Sequence, residues 1–152
     1  MKANNGKGNT VLRDDWETPS EIYDPLNKQF HFLIDCCANY KNTKTATFYD
    51  DFESIRHEIK DICWMNPPFS KAWNMISHFF KVVKKGVFIY RCDNLETGIW
   101  QKIIHPNCDW IFIPRGRVNY EGLDGSGARF PSALVGVGLK YPKYIEGIIL
   151  FC

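Results

Sequence analysis

Asn66-Pro67-Pro68-Phe69 is the segment of this chain best suited to chemistry. The apolar-rich run Ile62-Cys63-Trp64-Met65 precedes it, so it stands where a buried strand should end. Each proline lacks a backbone N–H and fixes φ at about −65°, so the sheet ladder cannot continue through them. The resulting loop is stiff and presents Asn66 and Phe69 together. An amide oxygen, a proline carbonyl and a phenyl ring suit a flat ring bearing an exocyclic amine. The two oxygens can accept hydrogen bonds from the NH2 group while the phenyl face stacks on the ring. Such a loop has the geometry needed to methylate an amino group on a base.

That loop needs a scaffold, and the hydrophobic pattern supplies one. Thr18-Pro19-Ser20-Glu21 has the form of a helix start, with Thr18 as N-cap, Pro19 at the first helical position and Glu21 closing a capping box. Ile22, Leu26 and Phe30 recur at four-residue spacing, which predicts a helix over about 19–29. Buried strands are predicted over 32–38, 62–65, 87–90, 110–113 and 132–139. A short strand over 47–49 and a short element over 145–151 complete the set. Residues 72–83 read as a helix with Trp73, Ile76, Phe79, Phe80 and Val83 on its inner face. Residues 95–104 read as another, stopped by Pro106. Strands alternating with helices predict an α/β three-layer sandwich with a mostly parallel sheet. One compact domain is expected over 13–152, behind a disordered tail over 1–12. Ligands of such sheets bind outside the carboxyl ends of the strands, where the segments after Asp35 and Met65 both fall.

Composition narrows the class without naming a partner. The chain has 152 residues, 45% apolar and 24% charged, the profile of a single globular domain. A net charge of +2 does not mark a nucleic-acid binder by itself, but permits one if cations gather on one face. Six cysteines form no CxxC pair and no histidines sit at zinc-ligand spacing, so reduced thiols and no metal are expected. No apolar run is long enough to span a bilayer and no leader pattern opens the chain, so no membrane association and a cytoplasmic location are expected.

The candidate DNA contacts are Arg115, Arg117 and Arg129, which flank or sit in a glycine-containing segment, 121–129. Gly122, Gly125 and Gly127 make no phosphate loop, because no Lys-Ser/Thr follows them. Lys84 and Lys85 end a predicted helix, where cations offset its dipole.

Four segments in order carry a resemblance: Asp15-Trp16-Glu17-Thr18-Pro19, Ile34-Asp35-Cys36-Cys37-Ala38, Asn66-Pro67-Pro68-Phe69 and Phe130-Pro131-Ser132-Ala133-Leu134-Val135. Together they resemble the phage-type DNA N6-adenine methyltransferases (the phage Dam family). The resemblance implies a Rossmann-like class I methyltransferase fold and S-adenosylmethionine as cofactor. It implies transfer of the methyl group to the N6 of adenine by direct in-line displacement on a flipped base. Asn66, Pro67, Pro68 and Phe69 would be catalytic. Trp16, Thr18, Pro19, Asp35, Cys36, Ala38 and Asn66 would bind the cofactor, with Asp50 and Asp51 near its ribose or adenine. The family's usual glycine-rich loop after the first strand is absent; Asp35-Cys36-Cys37-Ala38-Asn39 stands there instead. The implied partner is double-stranded DNA, met by a monomer or homodimer in a host cytoplasm. The alternatives are the same chemistry on cytosine N4, RNA adenine or protein glutamine, or a degenerate fold that only binds DNA or protein.

Overall fold

The computed structural model describes residues 16–120 and 130–150 in full, with the backbone of residues 2–4, 10–12 and 151. Within the segment expected as a tail, β1 (Lys2–Asn4) and β2 (Thr10–Leu12) pair antiparallel as a separate ribbon. The main sheet has seven strands: β3 (Ile34–Asp35), β4 (Thr47–Phe48), β5 (Cys63–Met65), β6 (Gly86–Arg91), β7 (Trp110–Pro114), β8 (Ser132–Val137) and β9 (Gly147–Phe151). Their order is β4-β3-β5-β6-β8-β7-β9.

The sheet is mixed, which corrects the expectation of a mostly parallel one. β3 pairs parallel with β4 and β5, and β5 pairs parallel with β6. The other three pairings, β6 with β8, β7 with β8 and β7 with β9, are antiparallel, and the ladders of β6 with β8 and of β7 with β9 are the longest in the sheet. A parallel pair needs a long crossover, usually a helix. Helix α2 (Ala72–Val82) supplies one between β5 and β6. After β7 the described connections, 115–120 and 138–146, hold no helix, and β8 and β9 run against β7 on its two sides.

Side chains alternate across this sheet and bury a core on each face. Met65, Phe88 and Val135 pack with Ile76 and Phe79 of α2. Trp64, Val87, Ile89 and Leu134 pack on the other face with Ile22, Leu26 and Phe30 of α1 (Ser20–Phe30). The layers are therefore helix, sheet, helix. In the antiparallel half Trp110 lies opposite Gly136, where an added Cβ would collide with the indole ring. The indole N–H donates to the Leu139 carbonyl at 2.8 Å.

Several local expectations change. Pro19, not Thr18, is the N-cap of α1, because Pro19 is still extended (φ −69°, ψ 156°) and no side chain caps the helix. Trp73 is 48% exposed, its ring lying beside Gly98. Residues 99–104 wind as a π-helix into α3 (His105–Asn107), so Pro106 lies inside the helical run. Its missing N–H falls at the end of the run, which stops one residue later at Asn107. Cys36, Cys37, Cys63 and Cys92 carry free thiols, whereas Cys108 is disulfide-bonded, against the expectation of reduced cysteines.

Candidate functional site

β3 and β5 are neighbours and parallel, with Asp35 opposite Trp64. Asp35 and Asn66 therefore emerge from the same carboxyl edge of the sheet. Pro67 is buried, while Asn66, Pro68 and Phe69 are half-buried. The Pro68 carbonyl accepts the Lys71 N–H at 3.0 Å and starts the 3-10 turn Phe69–Lys71 that leads into α2. Among the described residues the Pro67 carbonyl accepts no backbone hydrogen bond.

The amide of Asn66 has one possible orientation. Its Nδ2–H donates to the Trp16 carbonyl at 2.9 Å. A carbonyl can only accept, so the nitrogen must face Trp16 and Oδ1 must face the opposite way. The chain segment before α1 thus fixes the group that the loop presents.

One side of this loop is a polar cleft. It is lined by Trp16, Thr18, Asp35, Trp64 and Asn66, with Glu17, Cys37, Asn42 and Lys44 completing the wall. Asp35 is 3% exposed. Its Oδ2 accepts the Lys44 N–H at 3.0 Å and its Oδ1 accepts the Cys37 N–H at 3.3 Å. Burial pushes the carboxyl up from 3.8 to about 6, against the pull of those two donors and the Lys44 charge. Thr18 is 1% exposed, and among the described residues its Oγ1 has no hydrogen-bond partner. A buried hydroxyl without a partner is costly, and this one lies in the cleft wall. No glycine is needed after β3. Asn39 and Asn42 build the turn with their side chains: Asn39 Oδ1 accepts from Lys41 at 2.8 Å, and the Asn39 N–H donates to Asn42 Oδ1 at 2.7 Å.

The other side is aromatic. Phe69 meets Trp16, Phe130 and Tyr120 edge-on, with centroids 6.0, 5.4 and 6.4 Å away. Trp16 in turn stacks on Tyr120 at 6.2 Å and on Phe130 at 6.4 Å. Tyr90, at the end of β6, lies 6.4 Å from Phe69. The buried Tyr120 hydroxyl shares a hydrogen bond of 2.8 Å with Ser132 Oγ, and burial pushes its pKa up.

The structure brings Trp16, Thr18, Asp35 and Asn66 to one cleft, with Phe69 beside Trp16. It places other expected residues elsewhere. Pro19 caps α1, where its carbonyl accepts the Ile22 and Tyr23 N–H groups at 3.1 Å. Cys36 is fully buried in the α2-side core, its thiol pushed up by burial and by Cys63. Ala38 is half-buried, its N–H donating to the Tyr49 carbonyl at 3.1 Å. Asp50 and Asp51 are exposed beyond β4, outside the cleft wall. Arg115 is exposed and ion-paired with Glu146 at 2.8 Å; Arg117 is exposed. Arg129 lies outside the described residues.

Sequence reasoning assigned nothing to Lys44, Asn42, Tyr90 or Tyr120. Two signals were present: a polar segment directly after Asp35, and an aromatic residue at each end of the 121–129 segment.

A family model described as DNA N-6-adenine-methyltransferase (Dam) matches residues 6–130. No curated protein matches the chain. The family match spans most of the sequence and includes the cleft, the Asn66–Phe69 loop and Phe130, so the chain belongs to the DNA N-6-adenine-methyltransferase (Dam) family.

Proposed function

We propose that this chain methylates the exocyclic N6 of adenine in DNA, with S-adenosylmethionine as donor and the target base turned out of the duplex. The observation that carries the reading is the fixed amide of Asn66. Its Nδ2–H is held by the Trp16 carbonyl, which turns Oδ1 away from Trp16 in the loop that also carries Pro67 and Phe69. The adenine amino group is a poor nucleophile, because its lone pair is delocalised into the ring. Hydrogen bonds from its two N–H groups to Asn66 Oδ1 and the Pro67 carbonyl would draw it towards tetrahedral geometry and localise that pair. Phe69 would hold the base by stacking. The nitrogen gains the methyl group and loses one proton to solvent afterwards, so Asn66 need not act as a base. Positioning and fixed dipoles supply the rate. A base inside the duplex cannot reach this loop, which supports flipping.

The cleft suits the donor. Asp35 offers a carboxylate to a cation, and Thr18 offers a buried hydroxyl that lacks a partner among the described residues. Thr18 and Asp35 would hold S-adenosylmethionine in the cleft that Asn66 borders; when bound, it supplies a methyl group on a positively charged sulfur. The test is transfer of tritium from labelled cofactor to DNA, RNA and protein, followed by nucleoside analysis. Label in N6-methyladenine of DNA is expected. Label confined to protein, to RNA or to N4-methylcytosine would overturn the substrate assignment.

A further inference from the structure

Arg91 ends β6, the strand next to β5 and its Asn66–Phe69 loop. Its guanidinium lies over the Phe130 ring, 4.5 Å from the centroid. Phe130 meets Phe69 edge-on at 89°. Arg91 is thus one ring away from the proposed base platform. Its Nε–H and an Nη2–H donate to the two carboxylate oxygens of Asp93 at 2.7 and 2.6 Å. That fork holds Asp93 below its ordinary carboxyl value.

The fork leaves half of the guanidinium unspent. Asp93 takes the side-on edge, formed by Nε and Nη2. The end-on edge retains one N–H on Nη1 and one on Nη2, pointing the same way. Among the described residues that edge has no hydrogen-bond partner, and the Arg91 side chain is 26% exposed. Arg117 also acts on Asp93 by its charge, so two cations here face one anion. A partly exposed Arg–Asp pair contributes little stability, at most about 1 kcal/mol. What the stacking and the fork do achieve is orientation: together they fix the plane of the guanidinium. Two parallel N–H donors on a fixed cation match two oxygens of one phosphodiester.

We propose that Arg91 is a DNA contact of this enzyme, its end-on edge binding the phosphodiester beside the adenine seated against Phe69. Asp93 and Phe130 are positioning residues for that edge. The inference rests on the DNA-adenine reading above. It adds a contact that lies outside the Arg115–Arg129 segment.

The test is fluorescence anisotropy of labelled duplexes that differ in the base pairs flanking the adenine, each titrated across a salt series. Arg91→Ala is expected to weaken binding about tenfold on every duplex alike. It should also flatten the slope of log affinity against log salt by about 0.9, the value of one phosphate contact. Arg91→Lys and Asp93→Asn keep the cation but lose the fork; each is expected to keep the slope and weaken binding about threefold. Thermal melts confirm that the variants fold, and Arg91→Lys serves if Arg91→Ala does not. Unchanged affinity and slope in Arg91→Ala would overturn the proposal, as would a loss confined to one flanking base pair. If the wild-type protein methylates DNA while these variants bind normally, only the Arg91 assignment fails. If the wild-type protein binds no DNA, the substrate reading fails with it.

Discussion

Asp35 and Phe69 leave neighbouring strands at the same sheet edge, yet their surroundings differ in kind. Around Asp35 a carboxylate is held in burial by two backbone N–H groups, near a threonine hydroxyl that has no partner among the described residues. Around Phe69 the rings of Trp16, Tyr120 and Phe130 satisfy one another, and the buried Tyr120 hydroxyl is paired with Ser132. The polar side is costly to fold and gains most from a ligand. The aromatic side is already packed and would give up edge contacts to admit the proposed base. Donor affinity should therefore respond to pH and to single polar atoms. Base recognition should respond to ring removal and hardly to pH.

Asn66 joins the two sides, and its loss is the strongest test of the division. Asn66→Ala should lower single-turnover methyl transfer about a thousandfold. Calorimetric affinity for S-adenosylhomocysteine should stay within about twofold, because the cleft keeps Asp35 and Thr18. Near-wild-type turnover would remove Asn66 from the chemistry.

Asp35→Ala should weaken S-adenosylhomocysteine about a hundredfold, about 2.7 kcal/mol, and leave DNA affinity unchanged. The wild-type protein should show the same dependence through pH. Above about 6 the carboxyl is charged and the cleft binds a cation; as pH falls through about 6 it protonates and cofactor affinity drops. DNA affinity that followed the same titration would blur the line between the sides.

The free protein should carry the cost of that carboxylate in its stability. The folded value of about 6 lies above the ordinary 3.8, so between them the folded chain binds more protons than the unfolded one. Stability should fall as pH rises from about 4 to about 6, by roughly 2 kcal/mol. Denaturant titrations of the wild type and of Asp35→Ala measure it: the variant should lack that component of the slope.

The smallest effect is expected at Thr18. Thr18→Val keeps the shape and removes the hydroxyl. It should stabilise the free protein by about 1 kcal/mol and weaken cofactor binding about fivefold. Weaker folding with unchanged cofactor binding would show that the hydroxyl serves the fold.

The first half of the sheet was legible because its signals are local. Two prolines after an apolar run end β5, and an acid after Ile34 marks the end of β3. Strand direction in the second half was not. Trp110–Pro114 and Ser132–Val137 have the same apolar content whichever way they run, and the absence of a crossover helix decides. The capping pattern at Thr18 was formally complete, but extended Pro19 moves the helix start and leaves the hydroxyl in the cleft wall. The meeting of Trp16, Tyr120 and Phe130 is a product of tertiary folding, because residues a hundred positions apart share no periodicity.

The carbonyl of Trp16 also restricts what position 66 can become. Asparagine and aspartate have nearly the same shape, and both could accept from a base amine. Only asparagine can also donate to a backbone carbonyl 50 residues upstream. An aspartate would set a carboxylate oxygen against a carbonyl oxygen, and the entry segment would have to turn away. The choice between these two residues is therefore made by the path of the main chain before α1, not by the base. Over a lineage, changes in the entry segment and in the loop would have to travel together.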